Sequence, residues 1–249
     1  MHHILRTGDW VVPHLAGEPF VEKPPIFFIS AALVARALGW LLPLHDAARL
    51  TSGLWLALTF VFVAATGREL HGRGRGLVAA VLFAGCIGLL VRGHQLITDI
   101  AMLCGVAAGL YGIALALRRP AAGGFWLGAG AGVGFLAKGL LAPGLLGVTV
   151  VLLPLAVPAC RSRHFALMLV VAALSVLPWI GIWPSQLYAR SPELFREWLW
   201  DNNFGRFLGS NDIGPTADRF HYLRILPWYA FPALPLALWT LWQGRGRLA

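Results

Sequence analysis

The chain has 249 residues, of which 58% are hydrophobic and 12% are charged, and its formal net charge is +9. Soluble domains of this size carry about 25% charged residues, so the composition excludes an ordinary soluble domain, and the excess of arginine is typical of membrane topology rather than of a nucleic-acid partner. Apolar runs long enough to cross a hydrocarbon core of about 30 Å predict an all-α polytopic membrane protein, since a β-barrel would show alternating segments of about ten residues.

Eight apolar runs follow one another along the chain, and arginine-rich turns separate several of them. The runs cover residues 24–42, 45–66, 76–92, 96–117, 124–138, 141–158, 165–183 and 227–243. Nine arginines stand in four short turns, at residues 67–75, 118–120, 160–164 and 244–247. The positive-inside rule predicts that these turns face the cytoplasm.

Counting the crossings between these turns divides the chain into four parts. Residues 1–44 form an outer loop whose apolar run is a juxtamembrane helix, because Arg36 and the Pro24–Pro25 pair argue against a crossing. Residues 45–183 are predicted to form transmembrane helices with short cytoplasmic turns, and residues 184–226 a second outer loop. Residues 227–249 complete the chain with a transmembrane helix and a cytoplasmic end. The expectation is a bundle of about seven crossings plus juxtamembrane helices.

The segment "EKPP", residues 22–25, is the first candidate site. Pro25 lacks an N–H and fixes φ, and Pro24 is restricted by the proline after it, so Glu22 and Lys23 are expected in a defined extended geometry. A lysine ammonium at the membrane surface is a natural partner for a lipid-borne phosphate. The alternative is a plain helix start whose flanking charges snorkel to the surface.

Asp99, in "RGHQLITDIAM", stands near the start of an apolar run. An aspartate at a helix centre costs roughly 2.5–3.5 kcal/mol, less near an end, and intramembrane acids are functional by default. Arg92 and His94 are close in sequence and could pair with Asp99. The alternative is an acid that begins a helix and is stabilised by the helix dipole and Arg92.

Lys138, in "GFLAKGLLAPG", lies at the tip of a predicted helical hairpin that Gly139 and Pro143 interrupt. A turn lysine that snorkels to the surface is favoured over a lysine that contacts a substrate. The preceding "GAGAGVG" does not match GxGxxG and follows no strand, so it predicts close helix packing rather than nucleotide binding.

The outer loop contains "SPELFREWLWDNNFGRF", residues 191–207. Ser191, Pro192 and Glu193 predict a helix start. The apolar face of this helix would consist of Leu194, Phe195, Trp198 and Leu199. "DNNFGRF" is predicted to be a turn that places Arg206 near the membrane surface, where aromatic and basic residues suit a lipid headgroup and equally suit an interfacial anchor.

No metal site and no cofactor are predicted. Cys86, Cys104 and Cys160 stand singly, without CxxC or Cys/His spacing, and are expected to pack between helices. A divalent cation held by Glu22 or Asp99 stays open, because the spacing does not indicate one.

Four segments taken in order resemble a known family. The segments that resemble it are "LRTGDWVVPHLAGEPFVEKPPIFF", "RGHQLITDIAM", "GFLAKGLLAP", and "LPWIGIWP" with the later "FGRFLG" and "LPWYAFP". The family is that of the ArnT-like glycosyltransferases, which belong to the protein O-mannosyltransferase (GT-C) superfamily. The resemblance runs over nearly the whole chain. It implies a GT-C-like bundle in the bacterial inner membrane, with the outer loops in the periplasm.

The resemblance also implies an activity and the roles of particular residues. Family members take a sugar from a polyprenyl-phosphate donor and transfer it to lipid A, another envelope glycan or a protein. Asp99 corresponds to an acid of the second outer loop and is the candidate catalytic residue. Lys23 corresponds to the lysine near the carrier phosphate, Glu22 to its polar neighbour, and Arg206 to the arginine of an "RF" motif; Lys138 is a further candidate for substrate binding.

The resemblance predicts a limit on activity as well. In the family a first membrane helix and an Asp/Glu motif precede "GDW" and supply the main catalytic acid, so the chain as written is expected to be inactive. Asp9 belongs to the "GDW" element and is not expected to replace that acid. Two other classes stay open: a small transporter or flippase with a polar path through Asp99, Arg92 and Lys138, and a non-catalytic fragment.

Overall fold

The computed structural model describes residues 1–205, 208 and 220–244, and these ranges are almost wholly helical. The N-terminal part contains α1 (His2–Thr7), a hairpin of β1 (His14–Leu15) and β2 (Glu18–Pro19), and α2 (Ile26–Leu38). The central part contains α3 (Leu44–His71), α4 (Arg75–Ala84), α5 (Ile87–Arg92), α6 (Asp99–Ala116), α7 (Pro120–Lys138) and α8 (Leu141–Ala156). The last part contains α9 (Arg163–Arg190), α10 (Pro192–Arg196), a π-helical segment (Glu197–Gly205), α11 (His221–Tyr229) and α12 (Ala233–Gly244).

The helical class predicted from composition is confirmed. In the described ranges three helices, α3, α6 and α9, are long and apolar enough to cross a membrane. A fourth span results if α11 and α12 are counted as a single span, although the two helices make an angle of 91° with each other. Every run that was predicted to cross is helical, but α4, α5 and α8 are shorter than a full span. The number of about seven crossings therefore stays a prediction.

Helix α2 has the dimensions of a surface helix. Its 13 residues reach about 20 Å at 1.5 Å per residue, which is less than the hydrocarbon core of about 30 Å. Ala31 and Ala35 of α2 pack on Ala47 and Ala48 of α3 in one buried cluster. The length agrees with the expectation that this run does not cross by itself.

Glycines on α7 allow its two neighbours to approach it closely, as "GAGAGVG" predicts. A Cβ added at Gly105 of α6 would lie 2.6 Å from the carbonyl oxygen of Gly130 of α7. On the opposite face of α7, a Cβ at Gly128 would meet the carbonyl oxygen of Ala172 of α9. Such contacts leave no room for a side chain, and they are the small-residue packing expected between membrane helices.

The arginine-rich turns share one end of the bundle. Glu69 of α3 forms an ion pair with Arg118, which follows α6, at 3.5 Å. Ala116 of α6 belongs to the same buried cluster as Cys160 and Phe165 at the start of α9. The turns at 67–75, 118–120 and 160–164 therefore lie together, as the positive-inside rule requires, while residues 245–247 of the fourth turn lie outside the described residues.

The glycine packing yields a test with a matched control. We expect Gly130→Ala to lower the melting temperature of the purified protein in detergent, because its Cβ would meet the Gly105 carbonyl oxygen at 2.5 Å. Gly147→Ala in α8 meets nothing within 4 Å, and in a helix interior Ala is favoured over Gly by about 0.8–1 kcal/mol. Gly147→Ala should therefore leave the melting temperature unchanged or raise it. Equal melting temperatures for the two variants would contradict tight packing of α6 on α7.

The separation of the two ends predicts which positions are accessible from each side of the membrane. In a variant whose three cysteines are replaced by alanine, Glu18→Cys and Trp200→Cys should react with an impermeant thiol reagent added from the periplasm. Ala121→Cys, in the first turn of α7, should react only after the cells are opened. Labelling of position 121 in intact cells, with positions 18 and 200 protected, would show that the orientation in the membrane is the opposite of the predicted one.

Candidate active site

The "EKPP" segment, Asp99 and Lys138 lie at the same end of the bundle, opposite the arginine-rich turns. Pro24 and Pro25 are fully buried, and α2 begins directly after them at Ile26. Phe27, in the first turn of α2, is buried against Ala101 of α6 and Ala137 of α7. This contact fixes Lys23, at the entry to α2, at the end of the bundle where α6 begins and α7 ends.

Asp99 and Lys138 form an ion pair across the α6–α7 hairpin. The Lys138 ammonium donates a hydrogen bond to Asp99 Oδ1. Asp99 is the first residue of α6 and Lys138 the last of α7, so the antiparallel packing of the two helices places both at one end. The favoured interpretation of Lys138 as a turn lysine that only snorkels is therefore wrong, because its charge is directed at an acid.

The pairing of Asp99 expected from the neighbouring sequence is also wrong. Arg92 donates a hydrogen bond to Gln95 Oε1 at 3.2 Å. Arg92 ends the short helix α5, and a separate turn lies between it and Asp99. Asp99 does begin a helix, so the helix dipole can stabilise its charge as the alternative interpretation proposed. The counter-charge, however, comes from a lysine 39 residues away in sequence and not from Arg92.

Glu22 and Lys23 form the second lysine–carboxylate pair of this end. The Lys23 ammonium donates to Glu22 Oε1 at 2.8 Å, and the two side chains are 22% and 32% exposed. An ammonium has three N–H donors, so the bond to Glu22 leaves donors for a further oxygen acceptor. Both charges are accessible to solvent while their backbone is held by the buried Val21, Pro24 and Pro25.

The segment at 191–205 packs on the same end of the bundle. Ser191 Oγ accepts a hydrogen bond from the Leu194 N–H at 3.2 Å, which confirms the predicted helix start. Trp198 is buried, and its ring centroid lies 4.9 Å from that of Trp183 and 5.7 Å from that of Phe135. The other three residues of the predicted apolar face, Leu194, Phe195 and Leu199, pack in the same cluster, so that prediction is confirmed.

Asn203 attaches this segment to the turn that follows Lys138. Its Oδ1 accepts a hydrogen bond from the Leu140 N–H at 3.3 Å, and its Nδ2 donates to the Trp198 carbonyl oxygen at 2.7 Å. Gly139, with φ of +68°, leaves room for the amide, because a Cβ there would clash with Asn203 Oδ1. The predicted turn at 201–205 is instead π-helical, and Arg206 lies outside the described residues.

Asp9 and Arg190 are partners that no sequence pattern predicts. Asp9 Oδ1 accepts hydrogen bonds from the Val11 and Val12 N–H groups at 3.0 and 3.2 Å. Asp9 Oδ2 forms an ion pair with Arg190 at 2.8 Å, and Trp183 Nε1 donates to the Val11 carbonyl oxygen at 2.9 Å. The pattern of an Asp just before two backbone donors could have been recognised as an Asx turn. Its partner at the far end of α9 could not.

The electrostatics of Asp9 follow from these contacts. Burial alone would raise the pKa of Asp9, but the hydrogen bonds from Val11 and Val12 and the charge of Arg190 outweigh it and hold the pKa below its ordinary value. The loop at 8–23 is thereby fastened to α9, and Val12 and Val21 complete the cluster around Trp183 and Trp198. Asp9 therefore shapes the loop that carries Glu22 and Lys23.

Metal binding has no structural support among the described residues, where no group of three or more His, Cys, Asp and Glu side chains is close enough to hold an ion. Each of the two candidate carboxylates, Glu22 and Asp99, is engaged by a lysine. The arrangement supplies two ammonium groups and two carboxylates at the mouth of an apolar bundle, which is suited to a charged headgroup on an apolar tail.

A family model described as dolichyl-phosphate-mannose-protein mannosyltransferase matches residues 22–183. The match begins at Glu22 and includes Lys23, Asp99 and Lys138. The chain belongs to this family. The match confirms the resemblance inferred from the four sequence segments.

Individual relatives are similar over almost the whole chain. Undecaprenyl phosphate-alpha-4-amino-4-deoxy-L-arabinose arabinosyl transferase 2 of Sodalis glossinidius is 28% identical over 97% of the chain, and the transferase of Yersinia enterocolitica is 28% identical over the same share. The chain spans 44% of the length of each.

Solved structures show the same fold. Crystal structures of ArnT from Cupriavidus metallidurans, bound to undecaprenyl phosphate and in the apo state, align with TM-scores of 0.74 and 0.75. The sequence identities are 22% and 21%, and the alignments cover 96% and 98% of this chain but 44% of the ArnT chain. The GT-C type of membrane helix bundle is therefore confirmed.

The Asp9 contacts predict a pH-dependent stability. A carboxylate with a lowered pKa stabilises the folded state above the ordinary Asp value near 4, and the contribution is lost as pH falls through the lowered value. Asp9→Asn should therefore lower the melting temperature at pH 7 and pH 5 by about 2–4 °C, the effect of losing about 1 kcal/mol. The difference from the unmodified protein should shrink at pH 3 and below.

Glu18→Gln is the matched control, because the Glu18 side chain is exposed and makes no hydrogen bond or ion pair in the described part of the chain. It should have no effect at any of these pH values. A difference between Asp9→Asn and the unmodified protein that is constant from pH 7 to pH 2 would contradict an ionic role for Asp9.

Proposed function

We propose that this chain is the carrier-binding part of an inner-membrane glycosyltransferase that uses a polyprenyl-phosphate sugar donor. The observation that carries the proposal is the convergence of Lys23, Asp99 and Lys138 at one end of an apolar bundle. The relatives named as undecaprenyl phosphate-dependent arabinosyl transferases, and an ArnT structure bound to undecaprenyl phosphate, support the same donor class.

Lys23 is the residue proposed to bind the carrier phosphate. Its backbone is fixed by the buried Pro24 and Pro25, so its ammonium has a restricted range of positions. Glu22 currently accepts one of its hydrogen bonds. A phosphate dianion or monoanion would bind the remaining donors, and Glu22 would keep the ammonium oriented when no phosphate is present. The prenyl tail would extend along the apolar surface of α2.

Asp99 is proposed to act on the acceptor. In the reaction the acceptor hydroxyl attacks the anomeric carbon, the bond from that carbon to the carrier phosphate breaks, and a carboxylate takes the hydroxyl proton. Lys138 holds the Asp99 carboxylate in place through their ion pair. Lys23 and Arg206 would offset the negative charge that develops on the departing phosphate.

The proposal extends to the acceptor of the sugar. Lipid A, another envelope glycan or a protein would approach from the periplasm, where the two outer loops at 1–44 and 184–226 are proposed to lie. A transporter with a charged path is not supported by the described residues. The acids within candidate spans, Asp46, Glu69 and Asp99, all stand in a first or last helical turn rather than at mid-membrane.

The proposed role of Lys23 is tested by binding of undecaprenyl phosphate to the purified chain in nanodiscs. We expect Lys23→Ala to raise the Kd about tenfold or more, because a hydrogen bond to a charged group contributes about 1.5–3 kcal/mol. Lys138→Ala should raise it less than about threefold, since Lys138 is committed to Asp99. The uncharged alcohol undecaprenol should bind Lys23→Ala as it binds the unmodified protein.

Arg36→Ala is the control for general charge loss, because Arg36 is an exposed cation in the last turn of the same helix α2. It should leave the Kd within about twofold of the original value. An effect of Arg36→Ala or Lys138→Ala as large as that of Lys23→Ala would overturn the assignment of the phosphate to Lys23.

A further inference from the structure

A groove lies between α8 and α9 at the end of the bundle away from the candidate active site. Its volume is about 600 Å³, within the range of roughly 300–1,000 Å³ found for ligand sites. Val151 of α8 and Phe165 and Leu169 of α9 contribute to its apolar walls, and Arg161 and Arg163 stand at its mouth. Helix α8 has 16 residues and so reaches about 24 Å. The lining residue nearest to the start of α8 is Val150, nine residues after Leu141, so the groove lies about 14 Å along α8 from the turn that follows Lys138.

Arg161 is held in the groove by the end of α8. Pro158 has no N–H, so the Pro154 carbonyl oxygen lacks the usual helical donor four residues later. Arg161 Nε donates to this oxygen at 2.6 Å, and Arg161 Nη2 donates to the Leu155 carbonyl oxygen at 3.3 Å. The guanidinium is thus fixed by two backbone contacts, and its other N–H groups are left for an anion.

The mouth of the groove has no acidic counterpart. Arg163 is the first residue of α9, a 28-residue helix with no acid in its first turn. None of the ion pairs of the described residues includes Arg161 or Arg163. The positive end of the α9 dipole adds to the two guanidinium charges. A bound anion would therefore be stabilised by three sources of positive potential.

We propose that this groove binds one anionic glycerophospholipid, with the phosphate at Arg161 and Arg163 and an acyl chain between α8 and α9. An apolar groove that opens beside two unpaired cations matches a molecule with a negative headgroup and an apolar tail. Basic pockets between transmembrane helices are known to bind such headgroups at the cytoplasmic side. The lipid would fill the gap between α8 and α9. The inference does not depend on the glycosyltransferase proposal, because none of its residues belongs to the candidate active site.

The test compares two lipids with identical acyl chains. The full chain is prepared in phosphatidylcholine nanodiscs, and binding of phosphatidylglycerol is measured by native mass spectrometry. Each arginine near an anionic headgroup is expected to contribute roughly fivefold in affinity. The single variant Arg163→Gln should therefore weaken binding of phosphatidylglycerol ~fivefold. The double variant Arg161→Gln/Arg163→Gln should weaken it ~25-fold. The single variant removes no hydrogen bond of the described structure, so it remains informative if the double variant folds poorly.

Arg73→Gln with Arg75→Gln is the matched control, because it removes two arginines of the same spacing from another turn at the same end. It should leave the affinity within about twofold. Equal losses for the two arginine pairs would overturn the proposal and indicate a diffuse basic surface.

Ala166→Trp tests the apolar part, since Ala166 lines the groove and a tryptophan there would occupy the acyl-chain space while both arginines remain. Binding of phosphatidylglycerol should be lost. Retained binding, or equally strong competition by inorganic phosphate alone, would show that the arginines bind a headgroup without a chain and would overturn the proposed lipid site.

Discussion

Helices α6 and α9 approach α7 so closely that their backbones are in contact with its backbone. Glycines on both faces of α7 allow backbone contacts that side chains would prevent, as the Gly105–Gly130 and Gly128–Ala172 positions show. Lipid tails are as apolar as the helices, so association of these helices relies on packing rather than on the hydrophobic effect. The three helices therefore form a rigid unit whose ends have fixed relative positions.

The candidate active site is built on the ends of these helices. Asp99 begins α6, Lys138 ends α7 and Arg190 ends α9, and each forms an ion pair at that same end of the bundle. Asp99 and Lys138 pair with each other across the hairpin, whereas Arg190 reaches back to Asp9 in the N-terminal loop. Since α2 enters the bundle through Phe27, Lys23 takes its position from the same unit. A shift of α6 against α7 would therefore break the Asp99–Lys138 pair and change the position of Lys23 relative to it.

Patterns of local origin could be predicted from the sequence, and contacts between distant segments could not. The glycine-rich face, the Ser191 helix start and the aromatic face around Trp198 depend on residue types a few positions apart, and all three are confirmed. The sequence neighbours of Asp99 suggest Arg92 as its partner, but the hairpin geometry places Lys138 beside it. The π-helical conformation of residues 201–205 has no sequence signature comparable to a capping box, so the sequence predicts a turn there.

The distribution of charge along the bundle explains why its two ends can serve different purposes. A charge at mid-membrane costs more than one near a helix end, so the polar chemistry of such a chain is confined to the two ends. At the end with Lys23 and Asp99, acids and bases are paired, and an incoming anion must share a lysine that already has a partner. At the other end Glu69 pairs with Arg118 at 3.5 Å, whereas Arg161 and Arg163 have no acid opposite them in the described ranges. In the proposed roles, the end with Lys23 and Asp99 would bind and release a substrate, and the two arginines without an acidic partner would retain a lipid.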